Sequence, residues 1–198
     1  VRELRSASLN LSTPDDEHPR RLVGTAIVYD QVGQVLDFRE VIRRGAFTTA
    51  IQQAGNIRLL FEHRATNLLA STQNQTLQLI DSPEGLKFVG EAAETSVGDD
   101  VLSLVRAGEL RGCSFSMVVD RDGGESYQLI DGEPTRVITR IKRIDELTLT
   151  SDPFYLGTTV EQRSVDPEAI AAAAALSQQH HNELQTREQR LRRVRAAV

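Results

Sequence analysis

From Cys113 to Val119 the side chains alternate without a break. Cys113, Phe115, Met117 and Val119 fall on one side, and Ser114, Ser116 and Val118 on the other. A period of two belongs to an extended strand with one face turned to a core. Short apolar runs of strand length recur at residues 22–29, 38–42, 57–61, 76–80, 86–89, 137–141 and 147–150. Turn-forming clusters separate them, such as Asp81 to Gly85, Asp120 to Gly124 and Asp131 to Pro134. Only two segments in this region have helical spacing. Residues 45–53 put Phe47, Ala50 and Ile51 on one face, with Gly55 placed to end the helix. Val97, Val101, Leu104 and Val105 share a second face, with Gly108 placed as its cap. The pattern predicts an α+β fold: a mostly antiparallel β domain with a few helices.

The 198 residues suffice for one domain and an appendage. Aromatic residues make up 5% and tryptophan is absent, so Val, Ile and Leu must build most of the core. A formal net charge of −5 argues against a general nucleic-acid binder, which needs a cationic surface. Cys113 is the only cysteine, which excludes an intramolecular disulfide and a cysteine metal cluster. No apolar run reaches the length of a membrane span, and residues 1–5 lack the apolar stretch of a signal peptide. The reading expects no cofactor, no metal, no nucleic acid and no membrane.

Three regions follow. Residues 1–20 are polar and read as an exposed N-terminal arm, residues 21–163 as the folded domain, and residues 164–198 as a helical, Arg-rich tail. Asp166 and Pro167 suit a helix start, and residues 169–176 are strong helix formers. Residues 183–195 carry five arginines and two glutamates. Such a tail reads as a solvated helix, a docking helix or a segment removed by proteolysis.

Three residues carry reactive chemistry near the ends of apolar runs: His63 after residues 57–61, Ser114 after Gly112, and Glu146 before Leu147. A serine hydroxyl becomes a nucleophile when a neutral imidazole within hydrogen-bond reach takes its proton. The imidazole needs a partner that fixes its tautomer and stabilises the cation formed during attack. The histidines are 18, 63, 180 and 181, and His63 alone lies within the globular pattern. Asp145 competes with Glu146 as the acid. The strand that follows Ser114 is incompatible with the nucleophile elbow of α/β-hydrolases, which needs a helix there. Oxyanion donors would come from backbone N–H groups near Ser114, with an arginine that the sequence does not single out.

From about Arg21 to Pro153, roughly two-thirds of the chain, the sequence resembles the prohead serine proteases of tailed bacteriophages. The stations are Leu22 to Ala26, Glu40 to Phe47, Leu59 to His63, Val105 to Gly108, Leu110 to Met117, and Glu146 to Thr150 with Pro153. The resemblance implies His63 as general base, Ser114 as nucleophile and Glu146 as the acidic member. It implies a barrel-like core similar to that of the herpesvirus maturation proteases. It further implies an endopeptidase acting inside the prohead, in the host cytoplasm, on the major capsid protein and its scaffold segment, and on itself. A homo-oligomer is compatible with it. Three positions depart from the family pattern. Ser116 replaces a glycine, Leu69-Ala70-Ser71 replaces Pro-Ile-Gly, and Thr148 replaces a serine. These departures keep a catalytically inactive assembly protein on the same fold as the alternative; a small esterase with a similar dyad is a third reading. Activity through His63 as base should fall at acid pH.

Overall fold

The computed structural model describes residues 3–8, 17–35 and 38–151. Twelve strands and two helices follow in chain order: β1 (Glu3–Ser8), β2 (Arg21–Val28), β3 (Gly33–Val35), β4 (Phe38–Ile42), α1 (Thr48–Gln52), β5 (Arg58–Phe61), β6 (Arg64–Ser71), β7 (Leu77–Asp81), β8 (Gly85–Glu91), α2 (Ser96–Ala107), β9 (Gly112–Val119), β10 (Glu125–Ile130), β11 (Glu133–Ile138) and β12 (Ile141–Thr150). The expected helical tail and the boundary at residue 163 lie outside the described residues.

The strands form three sheets, ordered β1-β9-β12-β5-β6, β10-β11-β4-β3 and β2-β8-β7. The barrel-like core expected from the resemblance is therefore corrected to three open sheets. Two parallel pairings, β11 with β4 and β12 with β5, interrupt the antiparallel meander that a continuous closed ladder would need. Long connections must return the chain for each of these, as parallel pairing requires.

Alternation governs the central sheet. Cys113, Phe115, Met117 and Val119 of β9 join Ile144, Leu147 and Leu149 of β12 in one buried cluster, with Leu59 of β5. Phe47, fully buried, stacks on Tyr29 and meets Phe115 edge-on. Three aromatics thus meet at one point of a core built mostly from aliphatic side chains, with Phe88 buried elsewhere in it. Helix α2 buries Val101, Leu102 and Val105. The Thr95 hydroxyl accepts a hydrogen bond from the Gly98 N–H at its start, and Gly108 closes it at φ 73°, a left-handed cap that glycine adopts without strain. Helix α1 ends at Gln52, before the expected terminator Gly55.

The N-terminal residues differ from the expected arm. β1 pairs antiparallel with β9 along its whole length, from Glu3 opposite Met117 to Ser8 opposite Gly112. Its polar sequence hides a buried ionic network. Arg136 Nη1 of β11 lies 2.5 Å from Glu3 and 3.0 Å from Glu40 of β4, and Arg5 Nε lies 2.6 Å from Glu40. The network ties the edge of the central sheet to the second sheet.

Candidate active site

β5 delivers His63. Leu59 enters the core and Leu60 is buried on the opposite face, and the chain reverses at once through Glu62 and His63, both left-handed (φ 51° and 55°), so that Phe61 faces Arg64 of β6. Two consecutive left-handed residues make the tight hairpin turn that matches strand twist. Glu62 fixes this turn to the end of β12. Its N–H donates to the Leu149 carbonyl (3.0 Å), and its carboxylate accepts from Thr150 Oγ1 (3.1 Å) and the Ser151 N–H (2.8 Å).

β12 delivers Glu146. Leu147 and Leu149 enter the core, so Glu146, Thr148 and Thr150 occupy the opposite face. The Glu146 carboxylate is buried, and its Oε1 lies 3.1 Å from His63 Nδ1. Arg58 is Glu146's register partner on β5, and its Nη2 lies 3.6 Å from Oε2. The competing acid is directed elsewhere. A register irregularity between Ile144 and Glu146 bulges Asp145 out of the pairing, and Arg143 Nε donates to it at 2.5 Å.

β9 delivers Ser114 to the same face. Ser114 stands opposite Thr148 of β12 and opposite Ser6 of β1, and Ser116 stands opposite Glu146. Ser114 is fully buried, and its hydroxyl donates to the Arg5 carbonyl of β1 at 2.8 Å. His63 and Ser114 share no hydrogen bond in this arrangement. Cys113 points the other way, where burial pushes its thiol up to about 12. Where β9 ends, Val118 and Arg143 border a groove of about 680 Å³ whose lining runs round the end of the sheet to core-facing Val119 and to Gln53.

The structure therefore joins His63 directly to Glu146 and sets Ser114 one strand away on their face. Arg58, Thr148 and the Arg5 carbonyl also belong to the site, and sequence reasoning did not assign them roles. The apolar run Leu59-Leu60-Phe61 has no two-residue period to flag Arg58, whose place on the face of Glu146 follows from its pairing with β12. The Arg5 carbonyl left no signal, because it depends on the pairing of β1 with β9.

An imidazole held by a buried carboxylate, on a sheet face that also bears a serine, brings together the residue types of a base and a nucleophile. The sequence profile of the Caudovirus prohead serine proteases matches residues 7–171, and the chain belongs to that family. Among solved structures, the capsid assembly protease of bacteriophage T4, gp21, is similar at 9% identity with a TM-score of 0.42, over 75% of this chain and 96% of that one. No curated protein matches. Among the described residues no helix is long and apolar enough to cross a membrane.

Proposed function

We propose that this chain is a serine endopeptidase that cuts capsid and scaffold segments inside the immature phage head, and cuts itself. The observation that carries the reading is the 3.1 Å contact between His63 Nδ1 and the buried Glu146 carboxylate, on the sheet face that also bears Ser114. With Nδ1–H donating to the carboxylate, Nε2 keeps its lone pair and is the nitrogen left to receive a proton. Ser114 Oγ attacks the scissile carbonyl carbon while its proton passes to Nε2. The carbonyl's second electron pair moves to oxygen. Collapse of that intermediate expels the amine, which takes the proton from His63, and water repeats the sequence on the acyl-enzyme. Glu146 stabilises the imidazolium throughout and needs no proton of its own.

Before it attacks, Ser114 must leave the Arg5 carbonyl, and its fully buried hydroxyl must be uncovered to substrate. In this reading residues 21–163 form the protease domain, and the Arg-rich tail docks the enzyme in the shell or is itself a substrate.

The test is co-expression with the capsid protein, followed by mass analysis of all termini. Wild type should yield processed capsid protein, and Ser114→Ala should yield none while remaining folded. Unchanged processing in the alanine variant would sink the assignment. A second reading, an inactive assembly protein, draws on the complete burial of Ser114 and its bond to Arg5. A serine-directed phosphonate separates the two, because an inactive protein would not react at Ser114 above the level of the denatured chain.

A further inference from the structure

Among the described residues, two buried side-chain atoms have no hydrogen-bond partner: Ser116 Oγ and Thr148 Oγ1. A buried hydroxyl left unpaired costs stability. At position 148 the cost is easily avoided. Valine has the same shape without the hydroxyl and favours strands at least as well. Yet threonine stands there, fully buried between Leu147 and Leu149. Where a sequence keeps a locally unfavourable group in a well-packed strand, function is the usual reason.

Register distinguishes the two hydroxyls. Ser116 faces Glu146, whereas Thr148 faces Ser114. Side chains directly opposite one another on an antiparallel pair have Cβ atoms about 4.5–5.5 Å apart. That spacing sets the two hydroxyls side by side on one face, near enough for a single carbonyl to meet both once this buried face is uncovered to substrate. Two positions along a single strand, the separation of Ser116 from Ser114, span about 6.5–7 Å.

We propose that Thr148 is a further catalytic residue, whose hydroxyl donates a hydrogen bond to the scissile carbonyl oxygen as that oxygen becomes negative. The inference rests on the protease reading above and names a donor for its intermediate. When Ser114 Oγ bonds to the carbonyl carbon and His63 takes the serine proton, the carbon–oxygen π pair settles on the carbonyl oxygen. Thr148 shares its proton with that oxygen without transferring it. When the carbonyl re-forms and the amine leaves with the proton from His63, the hydrogen bond weakens again. A donor fixed in place before the reaction, in a site closed to water, needs no reorganisation as charge develops. An unpartnered hydroxyl in the resting protein is what such a donor would be before substrate arrives.

The experiment compares wild type, Thr148→Val, Thr148→Ser and Ser114→Ala as full-length chains. Three quantities are read: kcat and KM on a peptide spanning a mapped cleavage site, the rate of phosphonate labelling at Ser114, and the melting temperature. Thr148→Val should melt at or above the wild-type temperature while kcat falls by roughly tenfold to several hundredfold. KM should change little, labelling should slow in step with kcat, and Thr148→Ser should retain most of the rate. The proposal is overturned if Thr148→Val keeps kcat and labelling within about twofold of wild type. It is equally overturned if the variant loses activity only together with melting temperature, which is the mark of a structural role. An active wild type beside an unaffected valine variant defeats this inference alone. A wild type that neither cleaves nor labels at Ser114 defeats the protease reading, and this inference with it.

Discussion

Cys113 and Ser114 are chain neighbours with opposite fates. One faces the core and the other the candidate site, because adjacent residues of a strand point to opposite sides of the sheet. The thiol is fully buried, and burial pushes it up to about 12. At pH 8 a thiol-directed reagent should leave the native protein unmodified and react with one thiol per chain after denaturation. Rapid modification of the folded protein, or inhibition of cleavage by the reagent, would contradict this. The facing of Cys113 was legible in the sequence, since seven residues of strict alternation admit one arrangement. The contact of His63 with Glu146 was legible only as a choice of residue types. The preference for Glu146 over Asp145 depends on a bulge at Asp145 that no local pattern announces. Thr148 was visible only as a departure from a family motif. Whether a hydroxyl has a partner is decided by side chains on other strands.

At the scale of elements, β1 shows how charge can conceal a strand. Apolar alternation marks a strand that buries hydrocarbon, but β1 turns Glu3 and Arg5 toward an ionic network, so its sequence reads as solvated. Five charged side chains share that network: Glu3, Arg5, Glu40, Glu125 and Arg136. Removing one partner from a buried ion cluster leaves the others uncompensated, at a cost of about 3–5 kcal/mol. Arg136→Met should destabilise the protein by that order in urea unfolding, and a loss below about 1 kcal/mol would show the network to be energetically idle. The same network sets an acid limit. Burial opposes ionisation of Glu3, but the hydrogen bond from Arg136 and the charges of Arg136 and Arg5 outweigh it and hold the carboxyl below its ordinary 4.5. A carboxyl depressed in the folded state contributes stability above its unfolded value and loses it as pH falls through the folded one. The urea midpoint should therefore drop on acidification below about 4.5, and drop less in Glu3→Gln. An equal drop in both would assign the acid sensitivity to other groups. By contrast the existence of α2 and its glycine cap were legible as local signals, although the expected face left out Leu102, which is buried, and included Val97 and Leu104, which are half-buried.

For the molecule as a whole, the sequence conveyed a β-rich chain with few helices but not its closure. Periodicity reports which face of a strand is buried and is silent on its neighbours. A meander and a set of parallel returns look alike until the pairings are known. Here the returns matter, because β12 occupies the middle of the central sheet, between β9 and β5. Removal of residues 141–198 should abolish cooperative folding, seen as loss of a sigmoidal urea transition, since β9 and β5 lose the strand that joins their two halves of the sheet. A truncated chain that still unfolds cooperatively would overturn this.

The place of β12 also bears on timing. His63 and Glu146 stand 83 residues apart in sequence, and the later of them arrives on the last strand described. In the proposed triad, the nucleophile and the base emerge during synthesis before the acid that would orient the base. On that reading, cleavage waits for the strand that completes the central sheet. Proteolytic competence would then report that the sheet has been finished.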